Sequence, residues 1–102
     1  DFTFVANVVD GVLRACDTPH ASGEVFNVAT GGRISLNKLL QTMNRILGTD
    51  IQPIYEPGRV GDVRDSQADI TRAHDVLGYT PSIGLEEGLR RTLDWCKAAG
   101  TA

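Results

Sequence analysis

The chain has 102 residues, 41% of them hydrophobic and 23% charged, with a net charge of -3. That length fits one small domain, and the balance of apolar and charged residues excludes disordered and fibrous classes. The acidic balance, without a basic stripe interleaved with aromatics, excludes nucleic acid as a partner, and no apolar run approaches the roughly 20 residues of a membrane-spanning helix.

The first residues, Asp1-Phe2-Thr3-Phe4-Val5, open in mid-pattern without methionine or a polar lead-in, as a piece of a longer protein would. Val5, Val8, Val9, Val12, Leu13 and Cys16 then recur at three- and four-residue steps, which predicts an amphipathic helix over residues 5–17 with that face buried. Pro19 and Gly23 end it. Val25-Phe26-Asn27-Val28 suits a buried strand over residues 24–29, and residues 51–55 and 2–5 are the further strand candidates, so any sheet is small or is completed by other sequence.

Thr30-Gly31-Gly32-Arg33 reads as a tight turn, after which Ser35 stands where an N-cap belongs. The helix that follows carries Leu36, Leu39, Leu40, Met43, Ile46 and Leu47 and stops at Gly48. Asp69 is placed to cap a short helix over residues 70–77, ended by Gly78. Residues 82–99 form the last helix, with Ile83, Leu85, Leu89, Leu93 and Trp95 or Cys96 inward and Glu86, Glu87, Arg90, Arg91 and Lys97 outward. Phe4, Phe26, Tyr79 and Trp95 are assigned to the core. The expected fold class is α/β, mixed and helix-rich, with a few short strands.

Charge concentrates between the second and third helices, where residues 56–69 read E-P-G-R-V-G-D-V-R-D-S-Q-A-D. Pro57, Gly58 and Gly61 keep regular structure out, so the polar groups of this loop face water, a ligand or another domain. Each arginine offers a rigid fork of donors matched to phosphate or carboxylate. Arg59, Arg64 and Arg33 therefore form a candidate anion-binding surface, with Asp62 available to accept from sugar hydroxyls. The competing reading is a solvated loop whose arginines pair with Asp62, Asp65 and Asp69.

Other chemistry finds less support. His20 and His74 lie in different surroundings with no nucleophile or carboxylate at a useful spacing, and both are expected to face solvent. Ser35-Leu36-Asn37-Lys38 spells S-x-x-K, but no companion S-D-N or K-T-G follows, which leaves Ser35 as a cap. No dinucleotide or P-loop glycine fingerprint is present. Cys16 and Cys96 have no metal-ligand spacing and no partner motif. With no signal-peptide pattern at the start, they point to a reducing, cytoplasmic setting.

Four motifs in order, D-F-T-F-V-A-N-V-V, G-E-V-F-N-V-A-T-G-G-R-I-S-L-N-K-L, G-R-V-G-D-V-R-D-S-Q-A-D-I-T-R-A and L-G-Y-T-P, together resemble the C-terminal part of the extended short-chain dehydrogenase/reductase family. The similarity is to its NAD-dependent nucleotide-sugar epimerases, of the UDP-glucose and UDP-N-acetylglucosamine 4-epimerase kind, and spans nearly the whole chain. It implies a nucleotide-sugar-binding domain over residues 1–102, whose partner is a Rossmann domain that holds NAD and the catalytic Tyr-x-x-x-Lys, neither of which this chain contains. It also implies that no turnover comes from this chain alone. Arg59 matches the arginine that contacts the diphosphate, Asp62 the acid that binds the ribose hydroxyls, Arg33 a further phosphate contact in some members, and Ser66 a position near the sugar. In similar enzymes the motif that opens here at Asp1 reads Arg-Asp, so the resemblance implies that one arginine for the diphosphate lies outside this sequence. The related 4,6-dehydratases and decarboxylases share this layout. A free-standing structural or interaction domain that kept the fold without the ligand is the alternative from another class. Under either reading, an exposed docking face favours self-association.

Overall fold

The computed structural model describes residues 1–100, which form four α-helices joined by long irregular segments. They are α1 (Val5–Asp17), α2 (Leu36–Leu47), α3 (Thr71–Leu77) and α4 (Leu85–Ala98), with a single 3-10 turn, Pro19–Ala21, after α1. No strand is present among the described residues, so the helix-rich part of the expected class holds and the few short strands are not seen. Residues 24–29, 51–55 and 2–4 run without regular structure because no described neighbour offers them a ladder of hydrogen bonds.

The helix ends follow local chemistry. Ser35 Oγ accepts from the Lys38 backbone N–H at 3.1 Å, satisfying one of the orphan donors of α2. Gly48 and Gly78 close α2 and α3 with φ of 68° and 67°, which glycine adopts at no steric cost. The third helix starts at Thr71 rather than at residue 70, so Ile70 takes the cap position and Asp69 lies two residues before the helix. It accepts from both the N–H and the hydroxyl of Thr71, at 3.0 and 2.6 Å, and these bonds, led by the hydroxyl, hold its carboxyl below the usual range. The last helix starts at Leu85 rather than at residue 82, because Ile83 is bonded elsewhere.

Packing runs in two pairs, α1 against α3 and α2 against α4. Ala73 and Leu77 of α3 and the following Tyr79 form the buried centre, with Ala15, Phe26, Val28 and Ile70 half-buried around it. The Tyr79 hydroxyl donates to Ala29 O at 2.6 Å, and Arg14 donates to Gly78 O at 3.1 Å while paired with Asp10. A second joint links α1 to the entry of α4. There the buried Asn7 amide donates to Ile83 O at 2.9 Å and accepts from Ile83 N at 3.1 Å. Two helical glycines allow close approach. A Cβ on Gly11 would lie 2.6 Å from Val28 Cγ1, and one on Gly88 would lie 2.9 Å from Phe4 Cβ.

Several burial assignments are corrected. The aliphatic face of α1 points outward: Val5, Val9, Val12 and Leu13 are each at least half exposed, while Asn7 and Gly11 face the body. Trp95 is 67% exposed, and Leu36 at the start of α2 is 73% exposed. Phe4 and Phe26 are half-buried rather than core, with the guanidinium groups of Arg91 and Arg72 5.9 and 5.5 Å above their rings. No described helix is long and apolar enough to cross a membrane.

Candidate functional site

The first turn of α2 and the returning part of the long loop enclose a cleft of about 680 Å³. On one side the turn after Gly32 delivers Arg33 and Ile34 directly into the Ser35 cap, so the capped start of α2 sets where Arg33 stands. On the other side residues 63–66 supply Arg64 and Ser66. Phe2, Leu36 and Tyr55 add apolar and aromatic wall. The Tyr55 hydroxyl donates to Asn37 Oδ1 at 3.2 Å, pinning the outgoing limb of the loop to α2.

The structure thus brings Arg33, Arg64 and Ser66 to one cleft and leaves Arg59 and Asp62 outside its lining. Those two share a turn of their own, in which Asp62 N–H donates to Arg59 O at 3.3 Å and Gly61 takes φ 91°. Every residue from 51 to 67 is exposed. Of the ion pairs expected within the loop, Arg59 and Arg64 form none with a described residue. Arg33 reaches Asp65 at 3.6 Å, with both side chains about two-thirds exposed or more. Such a pair contributes at most about 1 kcal/mol. Two guanidinium groups whose donors are nearly unspent, beside the positive end of α2, suit the cleft to an anion carrying several acceptor oxygens.

Asp1, Tyr55 and Asn37 escaped sequence reasoning. Asp1 gave no signal beyond its place in a motif. Its carboxylate accepts from Thr30 N–H at 3.2 Å, Thr30 Oγ1 at 2.6 Å, Gly31 N–H at 2.9 Å and Ala68 N–H at 3.4 Å. Tyr55 and Asn37 were legible only as an alternating stretch and a helix surface. His20 and His74 are exposed as expected, with His74 Nδ1 3.1 Å from Asp75. No group of three or more His, Cys, Asp or Glu set to hold a metal occurs among the described residues.

No protein-family model matches the chain. Over 95 residues, 93% of its length, it is 39% identical to the UDP-glucose 4-epimerase of Mycolicibacterium smegmatis, of which the match covers 30%. It superposes with a TM-score of 0.89 and 38% identity on the UDP-glucose 4-epimerase of Thermotoga maritima, solved with UDP-glucose, covering 97% of this chain and 31% of that one. The UDP-glucuronic acid 4-epimerase of Bacillus cereus, solved with UDP-4-deoxy-4-fluoro-glucuronic acid and NAD, superposes with a TM-score of 0.90 at 26% identity, over 97% and 32% of the two chains. The chain spans about 30% of the length of the curated relatives it matches.

Proposed function

Because this chain is homologous to the UDP-sugar 4-epimerases, NAD-dependent enzymes of the extended short-chain dehydrogenase/reductase family, we propose that it is the nucleotide-sugar-binding portion of such an enzyme. The observation that carries this reading is the convergence of Arg33, Arg64 and Ser66 on one cleft between the start of α2 and the long loop.

The chemistry follows from the donors. The two guanidinium forks hold the diphosphate, each charge-assisted hydrogen bond contributing roughly 1.5 to 3 kcal/mol once water is displaced. Ser66 offers a hydroxyl to the hexose. The turn that joins Arg59 to Asp62 carries both side chains together, so that closing the loop adds one more phosphate donor and an acceptor for ribose hydroxyls. Binding energy from these remote groups holds the sugar ring where the reaction takes place.

NAD supplies hydride exchange in the homologous enzymes. It finds no fitting site among the described residues of this chain, which lack a strand leading through a glycine-rich turn into a helix. Cofactor and turnover belong to the rest of the enzyme, and this portion alone binds without converting. The aliphatic face of α1 is the surface that the cofactor-binding domain covers.

Titration of the chain with UDP and UDP-glucose, followed by amide and arginine Nε–H shifts, tests the site. Shifts gathered at Arg33, Arg64, Ser66 and residues 58–62 are expected. Arg64→Ala should weaken UDP by tenfold or more with little change in melting temperature. Shifts scattered over the surface, or full affinity in Arg64→Ala, would remove the cleft from consideration.

A further inference from the structure

The cleft has two walls that are far apart in sequence, and one carboxylate reaches the base of both. Residues 30–31 precede Arg33 with only Gly32 between, and Ala68 lies two residues after Ser66 and four after Arg64. The Asp1 carboxylate accepts the Thr30 and Gly31 N–H groups and the Thr30 hydroxyl on one side, and the Ala68 N–H on the other. Gln67 reinforces the same joint by donating from Nε2 to Gly31 O at 2.7 Å. The Thr30 hydroxyl, while donating to Asp1, also accepts from Gly32 N–H at 3.1 Å, which fixes the turn just before Arg33. Elsewhere the loop is tied down by few bonds, with residues 51–67 exposed throughout.

From this geometry we infer that Asp1 is a positioning residue, which sets the distance between Arg33 and Arg64 and so the affinity of the cleft for a diphosphate. This deepens the proposed nucleotide-sugar site and rests on it. A carboxylate suits the task because it is an acceptor only, able to take three N–H groups and the hydroxyls of Thr30 and, at 3.3 Å, Thr3, and charge strengthens each bond. An asparagine would turn its amide donors either toward the Gly31 and Ala68 N–H groups, which share one oxygen, or toward the Thr30 N–H on the other. Arg33 and Arg64 gain their joint effect on a diphosphate only when both forks reach it together, so a loosened joint costs affinity through the spacing of the two walls, although Asp1 also borders the cleft.

The experiment is a double-mutant cycle read on UDP affinity, with inorganic pyrophosphate as a second probe, together with amide hydrogen exchange in the unliganded chain. Asp1→Ala should weaken UDP about tenfold and deprotect the Gly31 and Ala68 amides. Adding Arg33→Ala to it should then cost less than threefold, because that arginine no longer acts with Arg64. Where Asp1→Ala leaves too little folded chain, Thr30→Val removes the hydroxyl bond to Asp1 together with the one from Gly32 N–H and should weaken both probes two- to fivefold. Unchanged affinity in a folded Asp1 or Thr30 variant overturns the inference, and so do independent, multiplying losses for Asp1→Ala and Arg33→Ala. If the unaltered chain takes up neither probe, the nucleotide-sugar reading fails. The joint itself is then decided by exchange: deprotection of both amides in Asp1→Ala upholds it, and deprotection of neither overturns it.

Discussion

Asn7, at 1% exposure, and Tyr79, at 0%, are the largest fully buried side chains, and each is held by a bond that its apolar isostere would lack. The Asn7 amide pairs with both backbone groups of Ile83, so truncation leaves an N–H and a C=O without partners. Asn7→Ala should cost about 2 to 4 kcal/mol by chemical denaturation, the range for stranding two partly buried groups. Asn7→Asp should be as damaging at neutral pH, where a carboxylate faces the Ile83 carbonyl, and should recover on acidification as the protonated acid regains a donor. No recovery would mean that packing rather than hydrogen bonding holds the joint. Burial, and secondarily the charge of Asp10, raise the Tyr79 pKa above its usual value of 10.0. The neutral phenol is thus favoured in the folded chain, and its contribution is complete below pH 10 and lost as pH rises through the raised folded value. Tyr79→Phe should lower stability at pH 7 by about 1 kcal/mol, the worth of one hydrogen bond, and flatten the alkaline loss. An unaltered alkaline limb would assign that loss to other groups.

Among the elements, legibility tracked how local the cause was. The bounds of α1 and α2, the Ser35 cap and the Gly48 and Gly78 stops all depend on contacts within a few residues, and all were readable. The strands expected over residues 24–29, 51–55 and 2–5 are not seen, because β-propensity states only that a segment fits a pleated, half-buried surface, and pairing depends on a partner elsewhere. The same holds for the site: arginines in a glycine-broken loop could be read as anion donors, whereas the Asp1 joint depends on backbone groups 29 to 67 positions away. Gly88 shows how packing overrides propensity. Alanine in mid-helix is favoured over glycine by about 1 kcal/mol. Here its methyl would lie 2.9 Å from Phe4 Cβ, an atom that moves only with the backbone entering α1. Overpacking of this kind costs roughly 1 to 3 kcal/mol, so Gly88→Ala should be neutral to destabilising by about 2 kcal/mol rather than stabilising. A raised melting temperature would show that the Phe4 segment yields freely.

At the scale of the whole molecule, surface area says more than any one contact. A folded monomer of about 11 kDa exposes roughly 5,600 Å², and this chain exposes 7626 Å². Its Cα radius of gyration is 16.3 Å, against about 13 Å expected for a compact domain of this length. The excess area, about 2,000 Å², is more than twice the roughly 800 Å² per partner of a standard interface and lies in the obligate range. Much of it is aliphatic, and the valine face of α1 is its most regular part. A polar, small-residue face, Asn7 and Gly11, packs inward while Val5, Val9, Val12 and Leu13 face out, the reverse of what burial favours unless another surface covers them. In the proposed enzyme that cover is the cofactor-binding domain. Without it the same face should drive association of copies. Sedimentation from micromolar to near-millimolar chain should show mass rising with concentration. Val9→Lys with Val12→Lys should abolish the rise without lowering the melting temperature, because neither side chain is buried in the chain itself. A monomer at every concentration would mean that the face is solvated as it stands. A double variant that still associates would move the sticky surface to Trp95 and the exposed apolar residues of the long loop.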